Sequence, residues 1–180
     1  MNINSYKKQL EQMRKEKDDF FKFHPQSPIP PNQRKRFEGL DYYPVDTTLV
    51  FEAELHEHAN KEIISIGDNL GKEQKYFRWG YFQFEINGDK VTLQVYKRDP
   101  KESHLWLPFK DQTNGKETYG AGRYMDLDEH NKTNGKWVID FNFAYNPFCA
   151  YNENYVCPFI PPENWLQIKI QVGEKNFSFK

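Results

Sequence analysis

Two periods divide the chain. Over residues 6–21, Tyr6, Leu10, Met13, Phe20 and Phe21 recur at three- and four-residue spacing, with Lys17 filling a slot in the same stripe. That spacing predicts an amphipathic helix carrying a narrow apolar face on a charged rod. Asn4 or Ser5 is placed to accept from the orphan N–H groups of its first turn, and Pro25 stops it. A second, short helix is expected from Pro30-Pro31 to Phe37, because proline suits a first turn and Gly39 the left-handed residue past a helix end.

From Asp41 onward the period falls to two. Phe51, Ala53 and Leu55 alternate with Glu52, Glu54 and His56, which predicts a strand with one dry face. Residues 81–86 and 91–96 flank Asn87-Gly88, the two positive-φ positions of a tight hairpin. Further strands are expected at 105–109, 124–127, 137–145 and 166–172, the last alternating Leu166, Ile168, Ile170 and Val172 with Gln167, Lys169 and Gln171. Seven to nine strands without interleaved helices predict a mainly β chain. The expected architecture is an N-terminal helical segment over residues 1–40, with one or two helices, and a single antiparallel barrel-like or sandwich domain over residues 41–180.

At 180 residues the chain has room for one domain with a sizeable core. Twenty-five Lys and Arg against 26 Asp and Glu leave a net charge of −1, which excludes a chain-wide polybasic or polyacidic binder. Residues 1–40 carry +4, nine basic against five acidic, so the rest carries −5. Arg34-Lys35-Arg36 has no aromatic interleaving and reads as a solvated helix face, so neither a nucleic acid nor a membrane is expected as partner. No apolar run approaches the roughly 18 residues of a membrane span, and the first 25 residues are charged, which points to the cytoplasm, or to export if a leader has been removed. Mean hydropathy is −0.94, yet aromatics reach 17%, enough to build a core.

Candidate chemistry gathers in five places. The stretch PFKDQTNGKETYGAGRY, residues 108–124, sets glycines beside Asp111, Tyr119 and Arg123. A guanidinium next to permissive backbone can grip a carboxylate or phosphate through two parallel bonds, or pair with Asp111 for purely structural reasons. The spacing is neither a Walker motif nor a dinucleotide fingerprint, and no cofactor is expected. On the strand at 137–145, Asp140, Asn142 and Asn146 oppose an aromatic face and either meet water or line a pocket. Cys149 and Cys157, eight apart among prolines, read as structural thiols, a disulfide, a redox or nucleophilic thiol, or half of a metal site. His56 and His58 share a strand face with Glu52 and Glu54 and read as solvated rather than metal-ligating, so no metal is expected. Gly173-Glu174-Lys175 alone would pass as a strand end with an ion pair.

With SPIPP and FEGLDYYPVD within residues 27–46, PFKDQTNGKETYGAGRY, DFNFAYNPFCAYNENYVCPFIPPENWL and the terminal GEK assembled, the chain resembles a bacterial and archaeal family catalogued as domain of unknown function 1684. That family has no established activity, so the resemblance brings no catalytic residue with it. It implies that the glycine–arginine loop, the Asn/Cys/Pro segment and Gly-Glu-Lys form one signature, and that exported or lipid-anchored members exist. The expectation is then that these segments converge on one concave patch. There Arg123 would hold a small polar or anionic ligand, Asp111 and Glu163 would orient it, and Asn142 and Asn146 would add neutral hydrogen bonds. Tyr119, Tyr145 and Tyr151 would form an aromatic wall, with Glu174 and Lys175 adding charge or a general base.

Three functions compete. The first is a binding module for a small polar or anionic molecule. The second is a hydrolase or isomerase working through carboxylate and lysine groups. The third is a structural or interaction protein with no small-molecule site, whose N-terminal helix could dock on a partner or, by self-association, on a second subunit.

Overall fold

Asn2 opens the first element. The computed structural model describes residues 2–179, so Met1 and Lys180, the outermost positions of the two expected segments, lie outside it. Helix α1 (Ile3–Phe23) is capped by Asn2, whose Oδ1 accepts from the backbone N–H groups of Asn4 and Ser5 at 3.1 and 3.3 Å. The residues expected to cap the helix are thus the donors being capped. The helix ends at His24, immediately before Pro25. The second expected helix is only a 3-10 turn, Arg34–Arg36. Arg34 donates back to the carbonyls of Ile29 and Pro25, and Arg36 lies over the Phe179 ring, so much of the basic run braces this chain rather than facing water alone.

Nine strands follow among the described residues, all paired antiparallel. They are β1 (Val50–Ala53), β2 (His56–Glu57), β3 (Ile63–Gly67), β4 (Glu73–Ile86), β5 (Asp89–Lys97), β6 (Leu105–Phe109), β7 (Arg123–Leu127), β8 (Lys132–Thr133) and β9 (Lys136–Asp140). One sheet runs β1-β9-β8; the larger runs β2-β4-β5-β6-β7, with β3 also paired to β4. The sheets do not close into a barrel. They face each other as a sandwich-like pair, and the main core lies between them: Ala53, Trp137 and Ile139 from the small sheet meet Phe82, Leu93, Val95, Leu107 and Met125 from the large one.

The β4–β5 hairpin turns on Asn87 and Gly88, at φ 53° and 88°, as the Asn-Gly pair predicts. Three expected strands came out differently, each because alternation reports which face is dry and not which backbone is the partner. The strand expected from Phe51 to His56 is two: β1 leaves the small sheet at Ala53, and β2 joins the large one opposite Tyr81 and Gly80. His56 there stacks on Tyr81, and His58 pairs with the Gln94 side chain at 2.8 Å. The strand expected over 137–145 stops at Asp140, whose carboxylate accepts from the Asn142 N–H and bends the chain into the 3-10 turn Phe141–Phe143.

The third departure is the deepest. Residues 166–172 keep their alternating burial, with Ile170 and Val172 fully buried, but join neither sheet. Leu166 and Ile168 bond to the backbone of Lys110 and Gln112. Beyond them side chains replace the ladder: Asp111 Oδ2 accepts from the Ile170 N–H at 2.6 Å, and Arg123 donates to the carbonyls of Ile170 (2.7 Å), Val172 and Glu174 (3.4 Å). Arg123 and Asp111 face each other at 3.4 Å with no exposed side-chain surface. Gly122, at φ 101°, lets this happen, since a Cβ there would sit 2.8 Å from the Phe109 carbonyl and closer still to Ile160.

Replacing Arg123 with leucine should therefore cost about 3–5 kcal/mol in urea unfolding, because it strands a buried carboxylate and backbone carbonyls together. A loss below about 1 kcal/mol would show that the C-terminal segment is held some other way.

Candidate functional site

The residues expected to form one ligand site fall into several different settings. Arg123 and Asp111 are buried and turned on the backbone, with Thr113 donating to both Asp111 oxygens at 2.9 Å. Glu174, also fully buried, accepts from Lys17 (2.8 Å), the Asn146 amide (3.1 Å) and Tyr151, while Asn146 reaches on to the Lys175 carbonyl. This group docks α1, with Tyr151 edge-on to Phe21. Asn142 bonds Asp46 and Asp140, Tyr145 donates to Asp126, and Lys175 lies over the Tyr43 ring. Glu163 stands apart on the outer face of the large sheet, held by Arg78 and Tyr96. Tyr119 donates to Cys149 Sγ at 3.6 Å. The Gly/Arg loop and Gly-Glu-Lys do meet, but around the C-terminal backbone rather than an open hollow.

An open hollow of about 420 Å³ lies elsewhere, at one mouth of the sandwich. A bulge builds it. Arg78 pairs with Tyr96 and Gly80 with Val95, leaving Trp79 as the extra residue of β4, and such bulges re-aim side chains. Gly80 admits β2 across the bulge, where a Cβ would meet the His56 carbonyl at 2.7 Å. Trp79 and Trp137 line the hollow with Leu55 and Leu105, and Lys97, Lys132, Glu54, Glu57, Glu129 and Ser103 supply its polar groups.

Lys97 is the telling member. It continues the inward row Val91, Leu93, Val95, all buried, at the point where the sandwich opens. Its Nζ sits 4.0 Å from the Trp79 ring centre and donates to the Glu102 carbonyl at 2.6 Å. Loss of water lowers its pKa below the ordinary lysine value, with nearby Glu57 and Glu102 opposing the shift and Lys61 adding to it. The other ammonium groups are paired: Lys61 with Glu57 and Lys132 with Glu129, each at 2.8 Å. Among the described residues no carboxylate makes an ion pair with Lys97. The hollow thus offers an under-hydrated cation against the Trp79 indole, with neither thiol nor imidazole in its lining.

Sequence reasoning missed this site, although two signals were present. Lysine stands at the next inward position of a well-registered strand, and Thr133-Asn134-Gly135-Lys136 repeats the Asn-Gly hairpin signature, with Asn134 and Gly135 at φ 50° and 80°.

A mainly antiparallel, sandwich-like pair of sheets with a docked N-terminal helix defines the class of the molecule. Residues 35–175 match the family model described as "Protein of unknown function (DUF1684)", and the chain belongs to that family. It is also similar to an uncharacterised protein from gene locus rrnAC0354 of Haloarcula marismortui, whose solution NMR structure superposes with a TM-score of 0.73. The two are 34% identical over 97% of this chain and 96% of the other. A search of curated proteins finds no match. Among the described residues no helix is long and apolar enough to cross a membrane.

Since folding lowers the Lys97 pKa, its ammonium opposes folding fully below that lowered value, and the cost is relieved as pH rises toward the unfolded value near 10.5. Nitrogen-detected NMR of the lysine ζ-groups should show Lys97 titrating below the ordinary lysine range. An ordinary midpoint would mean that water reaches it freely.

Proposed function

We propose that this protein binds a small polar molecule bearing an anionic group, held in the hollow at the mouth of the sandwich. One observation carries the reading: Lys97, drawn partly out of water on an otherwise apolar row, makes no ion pair among the described residues while its lysine neighbours do. Lysine has three N–H donors, and one is committed to the Glu102 carbonyl. An incoming carboxylate or phosphate would take the others through charge-assisted hydrogen bonds that no carboxylate of the site makes. Trp79 and Trp137 give the ligand body a flat apolar boundary, and Ser103 with the rim glutamates Glu57 and Glu129 can fix hydroxyl or amino substituents.

Thermal-shift measurements with amino acids, small carboxylates and sugar phosphates test the reading. A true ligand at 100-fold excess over its Kd should stabilise the protein by about 2.7 kcal/mol, and Lys97→Met should abolish the shift. Glu163→Gln, on another face, should keep it. If Lys97→Met responds like the wild type to every compound that shifts it, the site is misassigned.

A further inference from the structure

Cys149 and Cys157 lie outside that hollow and form an arrangement of their own. Neither is in a disulfide. The Cys149 backbone N–H points at Cys157 Sγ, 3.4 Å away, which sets the two thiols side by side. Their surroundings differ. Cys149 is half-buried in the 3-10 turn Phe148–Ala150, beside an open surface cavity of about 450 Å³ lined by Gln33, Asn152 and Glu153 among others. Cys157 is buried and pinned from behind, its N–H donating to Asn69 Oδ1 at 2.8 Å and its carbonyl accepting from the Asn69 N–H at 3.3 Å.

The same contacts separate the two thiols chemically. Cys149 sulfur receives the hydrogen bond from Cys157 and a second from the Tyr119 hydroxyl at 3.6 Å, and these hold its pKa down at about 7, against the pull of burial. Cys157, the donor within the pair, is pushed up by that hydrogen bond and by burial. One sulfur is therefore reachable and substantially ionised near neutral pH, and the other is held protonated and adjacent. This is the division of labour that sulfur oxidation requires.

We infer that Cys149 is a peroxide-reactive thiol and that Cys157 is its resolving partner, so that a hydroperoxide converts the pair into an intramolecular disulfide. The Cys149 thiolate attacks one peroxide oxygen and the O–O bond breaks, leaving a Cys149 sulfenic acid and a hydroxide that takes a proton to become water. Cys157 then loses its proton, its sulfur attacks the sulfenic sulfur, and the S–O bond breaks with the hydroxyl leaving as a second water. Two electrons pass from the sulfurs to hydrogen peroxide: two thiols and one peroxide give one disulfide and two waters. The bond would join the turn beneath α1, next to Tyr151, to the segment fastened against the β3–β4 connection at Asn69.

The test treats the reduced full chain with stoichiometric hydrogen peroxide and reads intact mass and non-reducing peptide maps. The expected product is about 2 Da lighter, with Cys149 linked to Cys157, and melts about 5 °C higher than the reduced form. In Cys157→Ser, Cys149 should be trapped as a sulfenic acid by dimedone, whereas Cys149→Ser should leave Cys157 unmodified. Iodoacetamide should alkylate wild-type Cys149 with a pH midpoint near 7, and Tyr119→Phe should move that midpoint upward. Melting curves of the reduced variants confirm that each is folded. Persistence of both thiols, a disulfide between two chains, sulfinic acid at Cys149 without a disulfide, or equally fast oxidation of Cys157 in Cys149→Ser would each overturn the assignment.

Discussion

A buried guanidinium holds the last part of this chain in place. Residues 170–174 join neither sheet, so the Ile170 and Val172 carbonyls that Arg123 holds would be stranded in the interior without it, and Arg123 would be an uncompensated charge without Asp111. Burial draws the Arg123 pKa below its ordinary value, and the neighbouring Asp111 opposes that shift. The arrangement sets the position of Glu174, and Glu174 in turn receives Lys17, Asn146 and Tyr151. A docked helix, a packed C-terminus and a closed flank of the sandwich all depend on one arginine.

Polar groups are used in two ways in this molecule. Around Arg123 and Glu174 they replace backbone ladders, and their value lies in being fully engaged. At the mouth of the sandwich the balance is different. The bulge at Trp79 and the close crossing at Gly80 leave space between the sheets, and Lys97 enters that space with part of its hydrogen-bonding capacity unspent. An engaged arginine contributes stability, whereas an under-engaged lysine in a hollow is suited to a ligand. The stripe on α1 belongs to the first kind, since Leu10 and Phe21 are buried and Phe21 packs on Tyr151 of the same chain.

Much of the fold was legible. The three- and four-residue spacing before Pro25 marked α1, the Asn87-Gly88 signature placed the central hairpin, and alternating burial at Ile170 and Val172 was correct even where the strand was not. The candidate site was not legible in the same way. Arg123, Asp111, Asn146 and Glu174 stood out as polar residues beside glycines, and those same features serve a buried tie. Lys97 went unremarked because a lysine at the end of a strand is ordinary unless its face is known to be the inner one.

What the sequence determined by itself was periodicity and local turn chemistry, because these depend on residues within a few positions of each other. It therefore specified which side of each segment would be dry, where the chain would reverse, and that the architecture would be mainly antiparallel. Only the tertiary structure decided which backbone each segment would meet. The partners of residues 166–174, the jump of the chain between sheets after Ala53, and the convergence of Trp79, Lys97 and Trp137 all join positions dozens of residues apart. Such pairings are set by the relative free energy of whole arrangements, in which a buried charge is tolerable only if its partner arrives with it, and no local pattern carries that information.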